Sequence, residues 1–129
     1  RTFWGSRIDT NRLVLCDGSG LSRKNRISAG HLCSVLRYMR QTDVFPSFYS
    51  SLPIAGVSGT LTNLCKDGAG SGRIHAKSGT MNGIKSYAGY IESASGHTIA
   101  FAMVANGFNC SRPYVVSKME VVLNALAER

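Results

Sequence analysis

The sequence predicts an α+β domain: an antiparallel sheet with helices packed on it. Two observations lead there. Three strand-length segments, about 73–79, 84–93 and 97–106, follow one another with short connections, and "SASG" between the last two reads as a tight hairpin. Helical periodicity appears on both sides of them. Leu32, Val35, Leu36 and Met39 fall on one face before the strands, and Val115, Met119, Val122 and Leu126 line another after them.

Taken in order, residues 1–15 read as a tail running into a short strand, "RLVLC". "DGSGLSRKN" follows as a polar, glycine-rich turn. Ser28 is placed to N-cap a helix reaching about Arg40. A second short helix begins near Pro46, with Phe45, Phe48, Tyr49 and Leu52 on one face, and Pro53 ends it. Residues 54–72 are broken by glycines, show little periodicity and read as loop. The segment 97–106 is apolar nearly throughout, which predicts a central strand covered on both faces. A last helix starts at Ser111 with Pro113 in its first turn. There is no internal repeat and no low-complexity segment.

At 129 residues the chain is one domain or a piece of one. It begins at Arg1 without a methionine, so the expectation is a chain processed or cut from something longer. The longest apolar run, Ile99 to Ala105, is far short of the ~20 residues that span a bilayer. The net charge of +8 is compatible with nucleic acid, anionic lipid or an anionic polymer such as cell wall. The positive residues are scattered, though, as in an ordinary solvated surface.

Cys16, Cys33, Cys65 and Cys110 are far apart and form no C-x-x-C. Cys33 lies on an apolar helix face and is expected to be a small core residue. No disulfide is predicted, and the cysteines leave the redox compartment open. His31, His75 and His97 are not spaced as metal ligands, so no metal site is predicted. "GAGSG" at 68–72 contains G-x-G, but a strand follows it where a phosphate loop needs a helix. It reads instead as a flexible approach to the first strand.

The sharpest signal is "IHAKSGTMNG" at 74–83. Lys77 interrupts a small or apolar strand and is followed by Ser78, Gly79 and Thr80. A lysine, a hydroxyl residue and a glycine on a strand form the third active-site element of penicillin-binding proteins and serine β-lactamases. The lysine supplies a cation, the hydroxyl can hold a substrate carboxylate, and the glycine leaves the strand bare for a peptide to lie against. As a bare tripeptide the pattern arises by chance in roughly one chain of this size in fifteen. His75, two residues before Lys77, shares its strand face and could tune it.

The wider sequence adds to this. "LVLCDGSGLSRKNRIS", "LPIAGVSGTL", "GRIHAKSGTMNGIKSYAGYIESASGHTIAFAMVAN" and the closing helix resemble, in that order, the C-terminal part of the D-alanyl-D-alanine carboxypeptidase/endopeptidase family, peptidase family S13. "DGSGLSR-x-N" and "AKSGT" are the most specific parts. Ser78 stands where that family more often has threonine.

The resemblance implies that all of 1–129 is the C-terminal part of a catalytic domain like that of penicillin-binding proteins and serine β-lactamases. It implies that Lys77 is the cleft lysine, and that Ser78 and Thr80 hold the terminal carboxylate beside Gly79. The Thr80 N–H would be one oxyanion donor, and Asp17 to Asn25 a supporting loop. It also implies peptidoglycan peptides as substrate, β-lactams as ligands, no cofactor, no nucleic-acid partner and an extracytoplasmic or periplasmic location.

The family's other two elements, S-x-x-K and S-x-N, are absent. The residues three before the lysines are Leu21, Asn63, Ile74, Asn82 and Val115, and no asparagine follows a serine at that spacing. The nucleophile is therefore expected upstream, and the chain alone is expected to be inactive. Without its covering region the chain is also expected to self-associate through Val104, Phe101, Tyr87 and the apolar helix faces. Two other readings stay open: a serine β-lactamase, and a non-enzymatic binder of an anionic cell-wall polymer or nucleic acid.

Overall fold

A computed structural model describes residues 7–129. The expected α+β class holds. The order is α1 (Ala29–Met39), α2 (Phe45–Ser51), a 3-10 turn (Gly59–Leu61), β1 (Ile74–Met81), β2 (Ile84–Glu92), β3 (Thr98–Asn106) and α3 (Arg112–Glu128). The strands form one antiparallel sheet in the order β1-β2-β3. Residues 1–6, the start of the expected tail, lie outside the described residues.

The helices begin where their caps say they should. The Ser28 side chain accepts the His31 N–H, and the His31 ring accepts the Ser28 N–H in return, closing a capping box with histidine in the usual Glu/Gln place. Ser111 caps α3 through the Tyr114 N–H, and Pro113 sits in the first turn, where its missing N–H is no loss. Pro46 does the same for α2.

The sheet separates two packed layers. On one face Ile74, Ala76, Tyr87, Ile91 and Phe101 meet Val115, Met119, Leu123 and Ala127 of α3. On the other, Tyr90 is the hub: its hydroxyl donates to the Leu36 carbonyl of α1 at 2.7 Å, and Phe45 meets its ring edge-on at 5.3 Å.

Several expectations are corrected. "RLVLC" is not a strand; Val14 and Arg26 form one isolated bridge. Among the described residues the central strand is β2, and β3 lies at an edge. An apolar run reports covered faces, and β3 has them: α1 packs across one, and Phe101 enters the core on the other. It says nothing about the strand's open edge.

The buried stripe of α3 is Val115, Met119, Leu123 and Ala127 at spacing four, while Val122 is 48% exposed. Cys33 is only partly buried; the core cysteine is Cys65, and all four thiols are free. Burial and the charge of Glu120 push the Cys65 thiol up to about 11. Phe101 and Tyr87 are buried, so of the three residues expected to form a sticky surface only Val104 is exposed.

The 54–72 segment is packed, not slack. Ala55, Leu61, Leu64 and Cys65 are core residues. The segment is tied to α3 by two bonds: Cys65 N–H to Glu120 Oε1 at 2.7 Å and Gly70 N–H to Asn124 Oδ1 at 2.8 Å. Its glycines therefore permit close approach to α3 and do not make a flexible lead-in.

Candidate active site

The expected site residues sit on β1, whose outer edge is half covered. Near its start the chain at 53–55 pairs with it: Ala55 N–H bonds the Ile74 carbonyl at 2.9 Å, and Ala76 N–H bonds the Pro53 carbonyl at 3.0 Å. Beyond Ala76 no described strand continues that pairing. Backbone groups of alternate strand residues point the same way. The N–H and C=O groups of Ser78 and Thr80 therefore face outward along an open edge.

The pleat sorts the side chains. Lys77 and Gly79 lie on the face shared with His75 and Tyr90, opposite Ala88 and Ser86. Ser78 and Thr80 lie on the face shared with Ile74 and Ala76, opposite Tyr87 and Lys85. The Lys77 side chain is exposed and its Nζ donates to the Ser78 carbonyl at 2.9 Å, which places the cation over the open edge. A Cβ on Gly79 would run into Ser86 Oγ, so a side chain there would crowd the lysine's face of the strand.

On the other face Ser78 Oγ donates to Thr60 Oγ1 at 2.9 Å. Lys85 Nζ donates to Thr80 Oγ1 at 3.0 Å. The result is a strip of hydroxyls beside two lysines, with outward backbone N–H groups between them. Such a strip can hold a carboxylate and polarise a carbonyl oxygen.

Not every expected pairing is found. His75 shares the face of Lys77, but its ring stacks on Tyr49 at 4.1 Å between centroids, and no described bond joins it to the lysine. Burial holds the His75 pKa below the ordinary imidazole value, opposed by the charge of Glu92. Its Nδ1 is buried without a hydrogen-bond partner.

Thr60 and Lys85 were not singled out in the sequence. Thr60 gave no local signal, because it lies in the segment read as loop. Lys85 did give one: it is in phase with Tyr87, Gly89 and Ile91, so alternation alone places it on a buried face.

The "DGSGLSRKN" turn is built around one carboxylate. Asp17 accepts from Ser19 Oγ and Asn25 Nδ2, each at 2.7 Å, and from the N–H groups of Gly20 and Ser22. The Asn25 amide also accepts the Cys16 N–H. The Asn25 and Ser19 bonds, with the two backbone donors, lower the Asp17 pKa below its ordinary value. The turn is an internally bonded knot that explains the Asp, Ser and Asn positions without chemistry. Among the described residues, no group of three or more acidic, histidine or cysteine side chains could hold a metal ion, and no helix is long and apolar enough to cross a membrane.

Known proteins resemble this chain in sequence and in fold. The D-alanyl-D-alanine carboxypeptidase of Actinomadura sp. (strain R39) is 38% identical over 117 residues, covering 87% of this chain and 22% of the relative. Penicillin binding protein 4 from Haemophilus influenzae superposes with a TM-score of 0.88 at 28% identity, covering 98% of this chain and 30% of that one. Its complex with a β-lactam superposes at 0.85, with 27% identity over 99% of this chain and 31% of that one. The chain thus spans about a fifth to a third of the proteins it matches. The sequence profile of the D-Ala-D-Ala carboxypeptidase 3 (S13) family matches residues 2–126, nearly end to end, and with the strand that bears Lys77 and its hydroxyl neighbours lying inside that match, the chain belongs to this family.

Proposed function

We propose that this chain is the C-terminal part of a serine-type D-Ala-D-Ala carboxypeptidase/endopeptidase that acts on peptidoglycan peptides outside the cytoplasmic membrane. The observation that carries the reading is the open half of β1. Lys77, Ser78, Gly79 and Thr80 lie there with the Thr80 N–H directed outward, on a chain whose family and relatives are D-Ala-D-Ala carboxypeptidases.

An extended peptide lies along the open edge as an added strand. The Thr80 hydroxyl donates to its terminal carboxylate, and the Ser78 hydroxyl joins it by turning its proton from Thr60 Oγ1 to the carboxylate. A serine supplied by sequence outside this chain attacks the penultimate D-alanine carbonyl carbon, and the oxyanion forms against the Thr80 N–H and the serine's own N–H. Lys77 stabilises charge and helps move the proton to the departing amine. D-alanine leaves, and water hydrolyses the ester to free the serine. A β-lactam enters the same site as an acylating analogue. No cofactor takes part.

Fluorescent penicillin labelling tests this. The full-length protein is expected to label covalently at one serine, and this chain alone is expected not to label. Labelling of this chain would overturn the placement of the nucleophile, and an unlabelled full-length protein would overturn the reaction. Rapid release of the penicillin adduct would favour a serine β-lactamase.

A further inference from the structure

Lys85 is the misfit of the sheet. It lies opposite Thr80 on the central strand and is only 9% exposed. Among the described residues its Nζ makes one hydrogen bond, to Thr80 Oγ1, and it lies 4.7 Å from the centroid of the Tyr87 ring. Among the described residues no carboxylate pairs with it. Burial, then the positive charges of Arg112 and Lys77, disfavour its charged form. A buried cation without a counter-ion is a net cost to folding, and an apolar residue of similar volume is often neutral or better. Stability does not explain this lysine.

The hydrogen bond does offer an explanation. A hydroxyl has one proton and two lone pairs. The ammonium can only donate, so it occupies a lone pair of Thr80 and the Thr80 proton must point elsewhere. Thr80 is exposed at the open edge, so that proton is presented to solvent or to a bound anion. The adjacent positive charge polarises the O–H and makes it a stronger donor. Ser78 is its neighbour along the strip, with its own proton donated to Thr60 Oγ1.

We propose that Lys85 is a positioning residue of the terminal-carboxylate subsite: it fixes the Thr80 hydroxyl as an outward donor and supplies the buried charge that favours substrates ending in a free carboxylate. This rests on the peptidase reading of the site given above.

The test uses the full-length enzyme and two peptides ending in D-Ala-D-Ala, one with a free C-terminal carboxylate and one with its amide. The quantity read is the ratio of kcat/KM for acid over amide. Lys85→Met should lower that ratio about tenfold, the scale of one charge-assisted hydrogen bond, mainly through KM. Lys85→Arg, which keeps charge and donor, should restore most of it. Thr80→Val should lower the ratio to a similar extent, and the double variant should fall no further, to within about twofold.

A purely structural lysine would lower both peptides together, and an unchanged ratio in Lys85→Met overturns the proposal. So does a double variant in which the two losses multiply, or a Lys85→Met protein that does not fold. If the wild-type enzyme is labelled by penicillin, any of these failures belongs to Lys85 alone. If the wild type is neither labelled nor active on either peptide, the peptidase reading falls, and this proposal with it.

Discussion

Removing the Glu120 carboxylate tests how the 54–72 segment is held beneath the site. Glu120 reaches from α3 to accept the Cys65 N–H at 2.7 Å. Cys65 is 3% exposed, and its bond to Glu120 is part-buried at the wall of a pocket that both residues line. Cys65 also sits at φ +50°, in the left-handed region, which costs a non-glycine residue about 1–2 kcal/mol. A hydrogen bond to a charged acceptor contributes about 1.5–3 kcal/mol, and a buried donor left without one costs about 1–3 kcal/mol. Glu120→Ala should therefore destabilise the fold by about 2–3 kcal/mol. Glu120→Gln keeps a neutral acceptor and should cost about 1 kcal/mol.

Urea unfolding reads both as a lower midpoint at unchanged slope. Amide exchange should speed up at Leu64 and Gly68, whose N–H groups bond within the segment. The same segment holds Thr60 against Ser78, so its loosening should reach the site. An alanine variant within about 0.5 kcal/mol of wild type would refute the reasoning. A glutamine variant as unstable as the alanine one would show that charge, not the acceptor, matters.

Lys77→Ala in the full-length enzyme should slow penicillin acylation by about 10²–10³-fold. It should leave stability within about 0.5 kcal/mol, because the side chain is exposed and, among the described residues, bonded only to its neighbour's carbonyl; acylation within about threefold of wild type would remove Lys77 from the site. Ser78→Thr should be nearly silent, whereas Ser78→Val should weaken free-acid peptides more than amides; equal losses would remove the carboxylate contact.

Burial and nearby carboxylates push Tyr49 and Tyr87 up to about 12 from 10. The unfolded chain therefore ionises first, and stability should be intact below pH 10 and fall between about pH 10 and 12. A flat stability across that window, or tyrosinate absorbance rising in one step near 10, would contradict this. Light scattering of the isolated chain should show mass rising with concentration, through Val104, the open edge of β1 and the exposed Val121–Val122 pair; a monomer throughout would remove the association.

Sequence reading reached the elements whose signals are local. Ser28, Ser111 and Pro113 mark helix starts by backbone chemistry that needs no tertiary context. The three strands were legible because hairpin turns bound them. Lys77 stood out because a charge broke an apolar run. What failed depended on contacts distant in sequence. Apolar content on β3 could not separate covered faces from a covered edge. The stripe on α3 was misphased because Val121 and Val122 are apolar but face outward, while Glu120 and Asn124 flank the core to hold a loop. The 54–72 segment lacks a period because irregular backbone packs by single residues. Lys85 was visible by phase, but its meaning required knowing that Thr80 lies across from it.

The alternation along β1 also sets what lengths the chain can tolerate. Ile74 and Ala76 are pinned by the core and by the pairing at 53–55. From that anchor the side chains are dealt to opposite faces by parity alone. One residue inserted between Ala76 and Lys77 would send the lysine to the hydroxyls' side and the hydroxyls to the lysine's, with no functional residue replaced. Two would restore the sides but carry the set ~7 Å along the strand. A bulge could absorb the single insertion only by bending the open edge. Lengths elsewhere, in the turns at 82–83 and 93–97, are free to drift by comparison. The span from core anchor to lysine is fixed by counting, and so a frame-preserving indel there should be as damaging as loss of Lys77 itself.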